Sequence, residues 1–320
     1  MKVFVYGAGV LGSLYAARLQ ESGNDVTILA RGDRLKEIQT QGIVLEHVLT
    51  GERTTTWVNA VEKLEGNDNF DLILVIVRKN QVSAILPALS ANKGSSLVLF
   101  MVNNPSGYTE WIQAVGKERL LIGFPGAGGT RTDGVVRYHI LEGVLQPTTF
   151  GELDGCKTER LKMVESLFQK AGFPTALCTN MSAWQKYHVA WVSPLANALY
   201  MVGVDGHSLA RRPEVVILCV QAIREGFKAL KSLGFPITPA KLKVFEVLPI
   251  SLLGTVLRLW MVTKHFDTVA TRHTLAAFDE MKALSDEFQG LAHRAGMPTP
   301  ALDRLHTNME QWNSAAGQYA

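Results

Sequence analysis

The sequence predicts an α/β fold, a mostly parallel doubly wound sheet, followed by an all-α domain. Strand-like and helix-like segments alternate from Met1 to about Cys178, the pattern of a parallel sheet covered by helices on both faces. From Asn180 onward the apolar residues recur at helical spacing without a convincing strand. The length of 320 residues is comfortable for two cores. We therefore expect domains at 1–178 and 179–320.

Composition limits the function classes. Apolar residues make up 47% of the chain and charged residues 19%, as in a globular protein, and the formal net charge is only +3. Without a run of lysine and arginine, this charge argues against a nucleic-acid partner, although it suits an anionic small molecule. Three scattered cysteines without CxxC spacing and eight histidines without metal-ligand spacing predict neither a disulfide framework nor a metal site.

Location and assembly follow from the apolar segments. The first strand begins at the N-terminus without a signal-peptide pattern, so we expect a cytoplasmic protein with reduced thiols. The most apolar stretch, 244–262, contains Glu246, Pro249 and Arg258. These residues argue against a membrane span, and the stretch instead predicts a buried helix or a homodimer contact.

The turn after the first strand is the most informative motif. It reads Gly7-Ala8-Gly9-Val10-Leu11-Gly12, between the apolar run Val3–Tyr6 and a helical pattern. In a Rossmann-type domain the first glycine permits the turn, the second lets the backbone approach a pyrophosphate, and the third lets helix and strand pack closely. We predict that these six residues bind a dinucleotide; an ordinary βα turn is the alternative.

The end of the second strand indicates which dinucleotide. An NAD-binding domain usually places an acidic residue there to bind the ribose 2′-hydroxyl. This chain has Ala30 and Arg31, with Arg34 and Lys36 close behind. Guanidinium groups bind phosphate, so the 2′-phosphate of NADP(H) is the better fit. Asp33 is the one acidic residue nearby, and an N-cap role would explain it.

Polar residues also follow the later strands. The strand over 71–77 is followed by Arg78 and Lys79, and the strand over 97–101 by Asn103. Ligands of such folds bind at the carboxyl edge of the sheet, so we predict that Arg78 and Lys79 bind the cofactor. Asn103 would bind the nicotinamide ribose or the substrate. A basic helix start and an Asx-turn are the respective alternatives.

The remaining elements complete the predicted fold. Antiparallel strands over 134–141 and 147–151 are expected to finish the sheet, and the helical domain is expected to supply residues that face the substrate. Its predicted helices cover 181–200, 213–233, 239–247, 252–262, 275–296 and 301–312.

Over nearly its whole length the sequence resembles the ketopantoate reductase (2-dehydropantoate 2-reductase) family. The resemblance rests on the glycine turn with Arg31, the Asn103 region, Trp184-Gln185-Lys186, Glu280, and the closing Gly296-Met297-Pro298-Thr299-Pro300. It implies an NADPH-dependent reduction of a 2-oxo acid. It also implies that Lys186 is the catalytic lysine and Glu280 its acidic partner.

The chemistry agrees with that assignment. Hydride transfer to a ketone leaves negative charge on oxygen, which an ammonium group such as Lys186 can neutralise and protonate. A carboxylate such as Glu280 can orient the lysine or bind the new hydroxyl. From the residues alone, each would read as an ordinary exposed helix residue, and His188 is a second candidate acid.

The substrate-binding positions depart from the family pattern. Ala190 replaces the asparagine four residues after the lysine, and Ser193-Pro194-Leu195 replaces Asn-Pro-Leu. The resemblance implies substrate contacts at Ser193, at Asn197 as a compensating amide, and at Thr268, where the family has serine. Arg272 replaces an aspartate.

These departures leave three functions open. We predict a reductase of 2-dehydropantoate or of a more apolar 2-oxo acid or ketone, because lost hydrogen-bonding groups disfavour a small hydroxylated acid. The alternatives are an opine- or imine-type reductase on the same frame and a non-catalytic NADP(H)-binding sensor.

Overall fold

The computed structural model describes residues 1–141, 143 and 146–316. The chain forms two compact units, the first being Met1–Val102 with Tyr108–Met181 and the second Asn103–Gly107 with the chain from Ser182 onward. The border therefore follows Met181 rather than the predicted Cys178. In addition, the loop Asn103–Gly107, which leaves the sheet of the first unit, belongs to the second.

The strands of the first unit form two sheets. In chain order the strands are β1 (Lys2–Tyr6), β2 (Asp25–Leu29), β3 (Ile43–His47), β4 (Arg53–Thr56), β5 (Asn59–Val61), β6 (Leu72–Val75), β7 (Leu97–Met101), β8 (Leu120–Phe124), β9 (Ala127–Thr132), β10 (Val135–Ile140), β11 (Thr148–Gly151) and β12 (Thr175–Leu177).

The main sheet has eight strands in the order β12-β11-β8-β7-β6-β1-β2-β5. All neighbours pair in parallel except β11, which runs antiparallel to β8. The predicted parallel sheet is thus confirmed. Strands β6, β7 and β8 are buried along their entire length, as expected for apolar runs that are covered on both faces.

A second, four-stranded sheet was not predicted. It has the order β4-β3-β10-β9, and Val44 of β3 pairs with Val135 of β10. The expectation that the segment over 134–141 finishes the main sheet was therefore wrong, because β10 pairs with β3 and β9 instead; β11 alone of the two predicted strands joins the main sheet.

Five helices belong to the first unit: α1 (Val10–Glu21), α2 (Gly32–Gln41), α3 (Val82–Ala91), α4 (Thr109–Val115) and α5 (Glu159–Lys170). Helix α1 is fixed to the main sheet by a buried hydrogen bond between the Tyr15 hydroxyl and Thr148 Oγ1, 3.0 Å apart. The rings of Phe168 and Phe173 pack against Tyr15. These contacts anchor the middle of α1 to strand β11 of the main sheet.

In the described part of the second unit, all regular secondary structure is helical. Its helices are α6 (Met181–Tyr200), α7 (Gly206–Ala210), α8 (Pro213–Ser232), α9 (Val244–Val247), α10 (Ile250–Met261), α11 (Lys264–Phe266), α12 (Arg272–Ala276), α13 (Phe278–His293) and α14 (Pro300–Ala316). A π-helical turn covers Asp267–Thr271. The core is formed mainly by α6, α8 and α13, around large buried side chains such as Tyr187, Phe227 and Phe288.

The predicted helix over 275–296 is interrupted. Ala277 has φ −129° and ψ 42°, outside the helical region, and α13 starts at Phe278. This break places Glu280 in the first turn of α13, where helix N–H groups stabilise a carboxylate.

The apolar stretch over 244–262 forms α9 and α10. Leu253, Leu257 and Met261 of α10 are buried, whereas Val256 and Leu259 are 52% and 68% exposed. The homodimer predicted from this stretch stays a prediction. Within the described part of the chain, no helix combines the length and apolar character that a bilayer crossing requires.

Candidate active site

The glycine turn has the geometry of a dinucleotide cradle. Gly7 has a φ of 118°, and a Cβ there would lie 2.3 Å from the Ile76 carbonyl oxygen. A Cβ at Gly12 would lie 1.8 Å from the Gly7 carbonyl oxygen, whereas a Cβ at Gly9 would meet no atom within 4 Å. Gly7 and Gly12 are thus needed for the turn and its packing, and Gly9 leaves open space for a ligand.

The start of α1 is suited to an anion. Gly9 is its N-cap, no side chain caps the helix, and the first turn carries no acidic residue. The first backbone N–H groups of a helix have no intrahelical partner, and the helix dipole attracts negative charge there. Together with Ala8, Val10 and Leu11, the three glycines fit the pyrophosphate of a dinucleotide.

Arg31 lies at the end of β2, directly after the buried Ala30. It is exposed and forms the N-cap of α2 with extended backbone. Asp33 lies in the first turn of α2, so the N-cap role expected for it was wrong. Since β2 pairs with β1, Arg31 and the glycine turn both follow the carboxyl ends of adjacent strands.

Arg78 and Lys79 follow β6, on the other side of β1. Both are half-buried, and the Arg78 N–H donates to Gln81 Oε1 at 3.3 Å as a short 3₁₀ turn begins. They lie at the predicted edge of the sheet, and their contact with a cofactor stays a prediction.

Lys186 is a buried ammonium group in the second turn of α6. Its side chain is only 5% exposed, Nζ donates to Ser182 Oγ at 2.8 Å, and Nζ lies 4.6 Å from the centroid of the Phe235 ring. Burial, and secondarily the positive charge of Arg294, lower the pKa of Lys186 to about 8. At neutral pH the group is therefore protonated and still a ready proton donor.

His188, the second candidate acid, cannot serve as an imidazolium at neutral pH. Burial lowers its pKa to about 3, and the charges of His273 and Lys241 act in the same direction. Its ring stacks on Trp184, with centroids 5.2 Å apart. His188 is thus neutral, which leaves Lys186 as the better acid on α6.

Glu280, which is buried, and Asn103, which is half-buried, form a polar pair. Asn103 Nδ2 donates to Glu280 Oε1 at 3.4 Å, and His273 Nε2 lies 4.0 Å from Glu280 Oε2. Glu280 is 5% exposed. The buried Asn103 Oδ1 has no hydrogen-bond partner among the described residues. An acceptor of this kind can bind a substrate hydroxyl or amide at little desolvation cost.

The face of α6 that carries Lys186 continues through Ser193 and Asn197, seven and eleven residues further on. Ser193 Oγ and Asn197 Oδ1 are buried without hydrogen-bond partners in the described structure. Asn197 Nδ2 donates to Ser285 Oγ at 2.9 Å, and Ser285 in turn contacts His306. Their substrate contact stays a prediction.

Two departures from the family pattern have structural explanations. Ala190 is fully buried, and a Cβ added to Gly226 of α8 would lie 3.6 Å from the Ala190 Cβ. Helix packing thus occupies this position. Arg272 pairs with Asp267, Nε to Oδ2 at 2.8 Å, and the Thr268 hydroxyl donates to the Lys264 carbonyl oxygen at 2.9 Å.

A histidine–carboxylate cluster does occur, although the spacing of histidines in the sequence predicts no metal site. One ligand atom each of Asp286, His306 and Glu310 lies within 4.8 Å of the others, because α13 and α14 bring them together. Lys282 Nζ lies 2.8 Å from Asp286 Oδ2 and 3.7 Å from Glu310 Oε1. The lysine already balances much of the negative charge, so we assign no metal role to this group.

Three partners of Lys186 were not predicted from the sequence. Ser182 could have been found, since it lies four residues before Lys186 on the same helix face. Phe235 and Arg294 reach Lys186 only through tertiary packing, and nothing in their local sequence indicates it.

Replacing Arg294 with glutamine is expected to raise the pKa of Lys186 above about 8, because one of the two causes that lower it is removed. An NMR titration of the lysine ε-carbons would measure the midpoint without any substrate. Arg304→Gln, which removes an exposed charge on α14, is the control and should leave the midpoint unchanged. A wild-type midpoint near the ordinary lysine value of 10.5 would contradict the assignment.

Comparison with known proteins shows what this chain is similar to. The family model described as ketopantoate reductase PanE/ApbA matches residues 3–155. The 2-dehydropantoate 2-reductase of Pyrococcus horikoshii is 25% identical over 256 residues, which cover 76% of this chain and 79% of the relative.

Two solved structures share the fold across both units. A 2-dehydropantoate 2-reductase from Geobacter metallireducens has a TM-score of 0.79 at 18% identity and covers 97% of this chain and 99% of its own. D-mandelate dehydrogenase in complex with NADH and anilino(oxo)acetate has a TM-score of 0.77 at 16% identity, with 98% and 99% covered. In sequence over residues 3–155 and in fold, this chain is thus similar to the ketopantoate reductases.

Proposed function

We propose that this protein is an NADPH-dependent reductase that converts a 2-oxo acid into the corresponding 2-hydroxy acid. The observation that carries the proposal is the buried Lys186 ammonium with its pKa lowered to about 8. A general acid is most effective when its pKa lies close to the working pH. An exposed surface lysine, with a pKa near 10.5, would be a much weaker donor.

The proposed binding of the cofactor depends mainly on residues of the first unit. Gly7, Gly9 and Gly12 would hold the pyrophosphate at the start of α1, and Arg31 would bind the 2′-phosphate. Arg78, Lys79 and Asn103 are further candidates for cofactor contacts. When bound, the reduced nicotinamide supplies the hydride for the reduction.

The proposed proton donor is Lys186. Negative charge that develops on the substrate oxygen is stabilised by the ammonium group, which then donates its proton to give the hydroxyl. Ser182 Oγ accepts a hydrogen bond from Nζ at 2.8 Å and so fixes the direction of the side chain. The Phe235 ring excludes water on one side and favours the cation.

Glu280 and Asn103 have a positioning role in this proposal. The carboxylate accepts from Asn103 Nδ2, which leaves Asn103 Oδ1 free to accept a hydrogen bond from a substrate hydroxyl. Hydrogen bonds of this kind hold the carbonyl in the orientation needed for reaction. Ser193 and Asn197 would extend the polar surface for a larger substrate.

A second candidate is the reduction of a 2-oxo acid with an apolar or aromatic side chain. Ala190 offers no hydrogen bond and packs towards α8 at Gly226, where the resemblance leads one to expect an asparagine. The fold shared with D-mandelate dehydrogenase, whose structure holds anilino(oxo)acetate, also supports a substrate with an apolar or aromatic side chain. That structure contains NADH, so the cofactor preference needs its own measurement.

The deciding experiment is NADPH oxidation by the wild-type protein with a panel of carbonyl compounds. The panel holds 2-dehydropantoate, an aryl 2-oxo acid and a short 2-oxo acid, each with and without an amine, and NADH is run in parallel. We expect turnover of a 2-oxo acid without amine. Turnover only with amine would favour the imine reductase, and tight NADPH binding with no turnover would favour the sensor.

A further inference from the structure

We propose that Arg34 is a positioning residue that fixes the orientation of the Ala8–Gly9 peptide in the dinucleotide cradle. This role rests on the proposed function. Arg34 Nε donates to the Ala8 carbonyl oxygen at 3.3 Å, and Nη2 donates to Ser13 Oγ at 2.7 Å. The Ser13 hydroxyl donates to the same carbonyl oxygen at 3.2 Å. Two donors thus hold one carbonyl group of the glycine turn.

The orientation of that carbonyl decides what the cradle presents to an anion. In a planar trans peptide the carbonyl of Ala8 and the N–H of Gly9 point in opposite directions. Because Arg34 and Ser13 bind the oxygen on one side, the Gly9 N–H is directed to the other. If the peptide turned over, the carbonyl oxygen would face a pyrophosphate, and the two would repel each other.

The Arg34 side chain is itself held in place by an ion pair with Glu37, which also pairs with Arg131. Its Nη1 lies 2.9 Å from Glu37 Oε2, and Arg131 Nη1 of β9 lies 3.0 Å from the same oxygen. The side chains of Arg34 and Glu37 are 10% and 20% exposed. Because both side chains are largely buried, the Arg34–Glu37 ion pair keeps a fixed geometry, unlike an ion pair at the surface.

These contacts give different roles in cofactor binding to two arginines that are close in sequence. Arg34, which the sequence groups with Arg31 as a cation for the 2′-phosphate, binds protein groups with Nε, Nη1 and Nη2. Arg31 is exposed and can bind the 2′-phosphate. Arg34 therefore acts on the part of the cofactor that NADPH and NADH have in common, and Arg31 on the part that differs.

Equilibrium binding of NADPH and NADH to four variants tests this division. We expect Arg34→Gln to weaken both dinucleotides by the same factor, roughly tenfold, since charge-assisted hydrogen bonds are lost. Arg31→Ala should weaken NADPH by roughly tenfold or more and leave NADH unchanged. Arg34→Lys, which keeps the charge and one donor, should recover part of the affinity for both.

Ser13→Ala is the variant that distinguishes a local effect on the Ala8 carbonyl from a loss of folding stability. It removes a donor to the Ala8 oxygen and an acceptor for Arg34, and it should weaken both dinucleotides equally by about threefold with little loss of thermal stability. Weakening of NADPH alone by Arg34→Gln, or no weakening by either Arg34→Gln or Ser13→Ala, would overturn this role. A wild-type protein that binds neither dinucleotide would overturn the proposed function itself.

Discussion

Replacing Lys186 with methionine is expected to lower the turnover number about 10³-fold, the usual contribution of a general acid. Methionine keeps the length and suits the burial of this side chain, which is only 5% exposed. The ammonium that donates to Ser182 Oγ is lost, so nothing at this position can protonate the substrate oxygen. Steady-state kinetics with saturating NADPH would measure the effect.

Cofactor binding separates a chemical effect from a structural one. The NADPH dissociation constant of Lys186→Met should stay within about twofold of the wild type, because Lys186 lies outside the glycine turn. Lys228→Met, which removes an exposed lysine of α8, serves as the control and should retain full turnover. Normal turnover in Lys186→Met would remove the proposed mechanism.

The Lys186 variant should also be more stable at neutral pH. Burial lowers the pKa of Lys186 from 10.5 in the unfolded chain to about 8, so the folded protein carries a penalty for the charged form at any pH below about 8. That penalty decreases as the pH rises from about 8 and is gone above 10.5. The stability difference between Lys186→Met and wild type should therefore be largest at neutral pH and shrink in alkali, which thermal unfolding would detect.

The second large effect is expected for alanine at two glycines of the turn, which should both impair binding but differ in their effect on stability. A Cβ at Gly12 would lie 1.8 Å from the Gly7 carbonyl oxygen, so Gly12→Ala should cost about 3 kcal/mol of unfolding free energy through overpacking and abolish NADPH binding. A Cβ at Gly9 meets no protein atom within 4 Å. Gly9→Ala should therefore keep its stability and still bind NADPH at least tenfold more weakly.

Chemical denaturation and equilibrium binding measure the two effects separately. Gly290→Ala is the control, because Gly290 lies within α13 and a Cβ there also meets no atom within 4 Å. Removing a helix-interior glycine should raise the stability by about 0.5–1 kcal/mol and leave binding unchanged. Unchanged NADPH affinity in Gly9→Ala would contradict the assignment of the turn as the pyrophosphate cradle.

The sequence predicts the main sheet well for a physical reason. Strands such as Leu72–Val75 and Leu97–Met101 are continuous apolar runs, and burial on both faces of a parallel sheet requires such runs. The second sheet could not be predicted in this way. Its central pairing joins Val44 to Val135, and neither segment carries a local signal of its partner. The break at Ala277 also has no sequence signal that we can identify.

The candidate site also has one part that can be predicted from the local sequence and another part that cannot. The glycine turn and Arg31 are recognisable because the residues proposed to bind a dinucleotide form short local sequence motifs. Lys186 and Glu280 depend on the family resemblance, since a helix lysine and a helix glutamate are usually exposed. Their partners, Phe235 and Arg294 for Lys186 and Asn103 for Glu280, come from distant segments, and these pairings are found only in the folded chain.

The pH dependence of kcat/KM for the best 2-oxo acid tests the central claim most directly. If the Lys186 ammonium is the proton donor, kcat/KM should fall as the pH rises above about 8, because the protonated form is lost. Arg294→Gln should move this fall to higher pH, by the same amount as the midpoint in the lysine titration. A kcat/KM that stays level through pH 8, or a fall that does not move in Arg294→Gln, would contradict the role of Lys186.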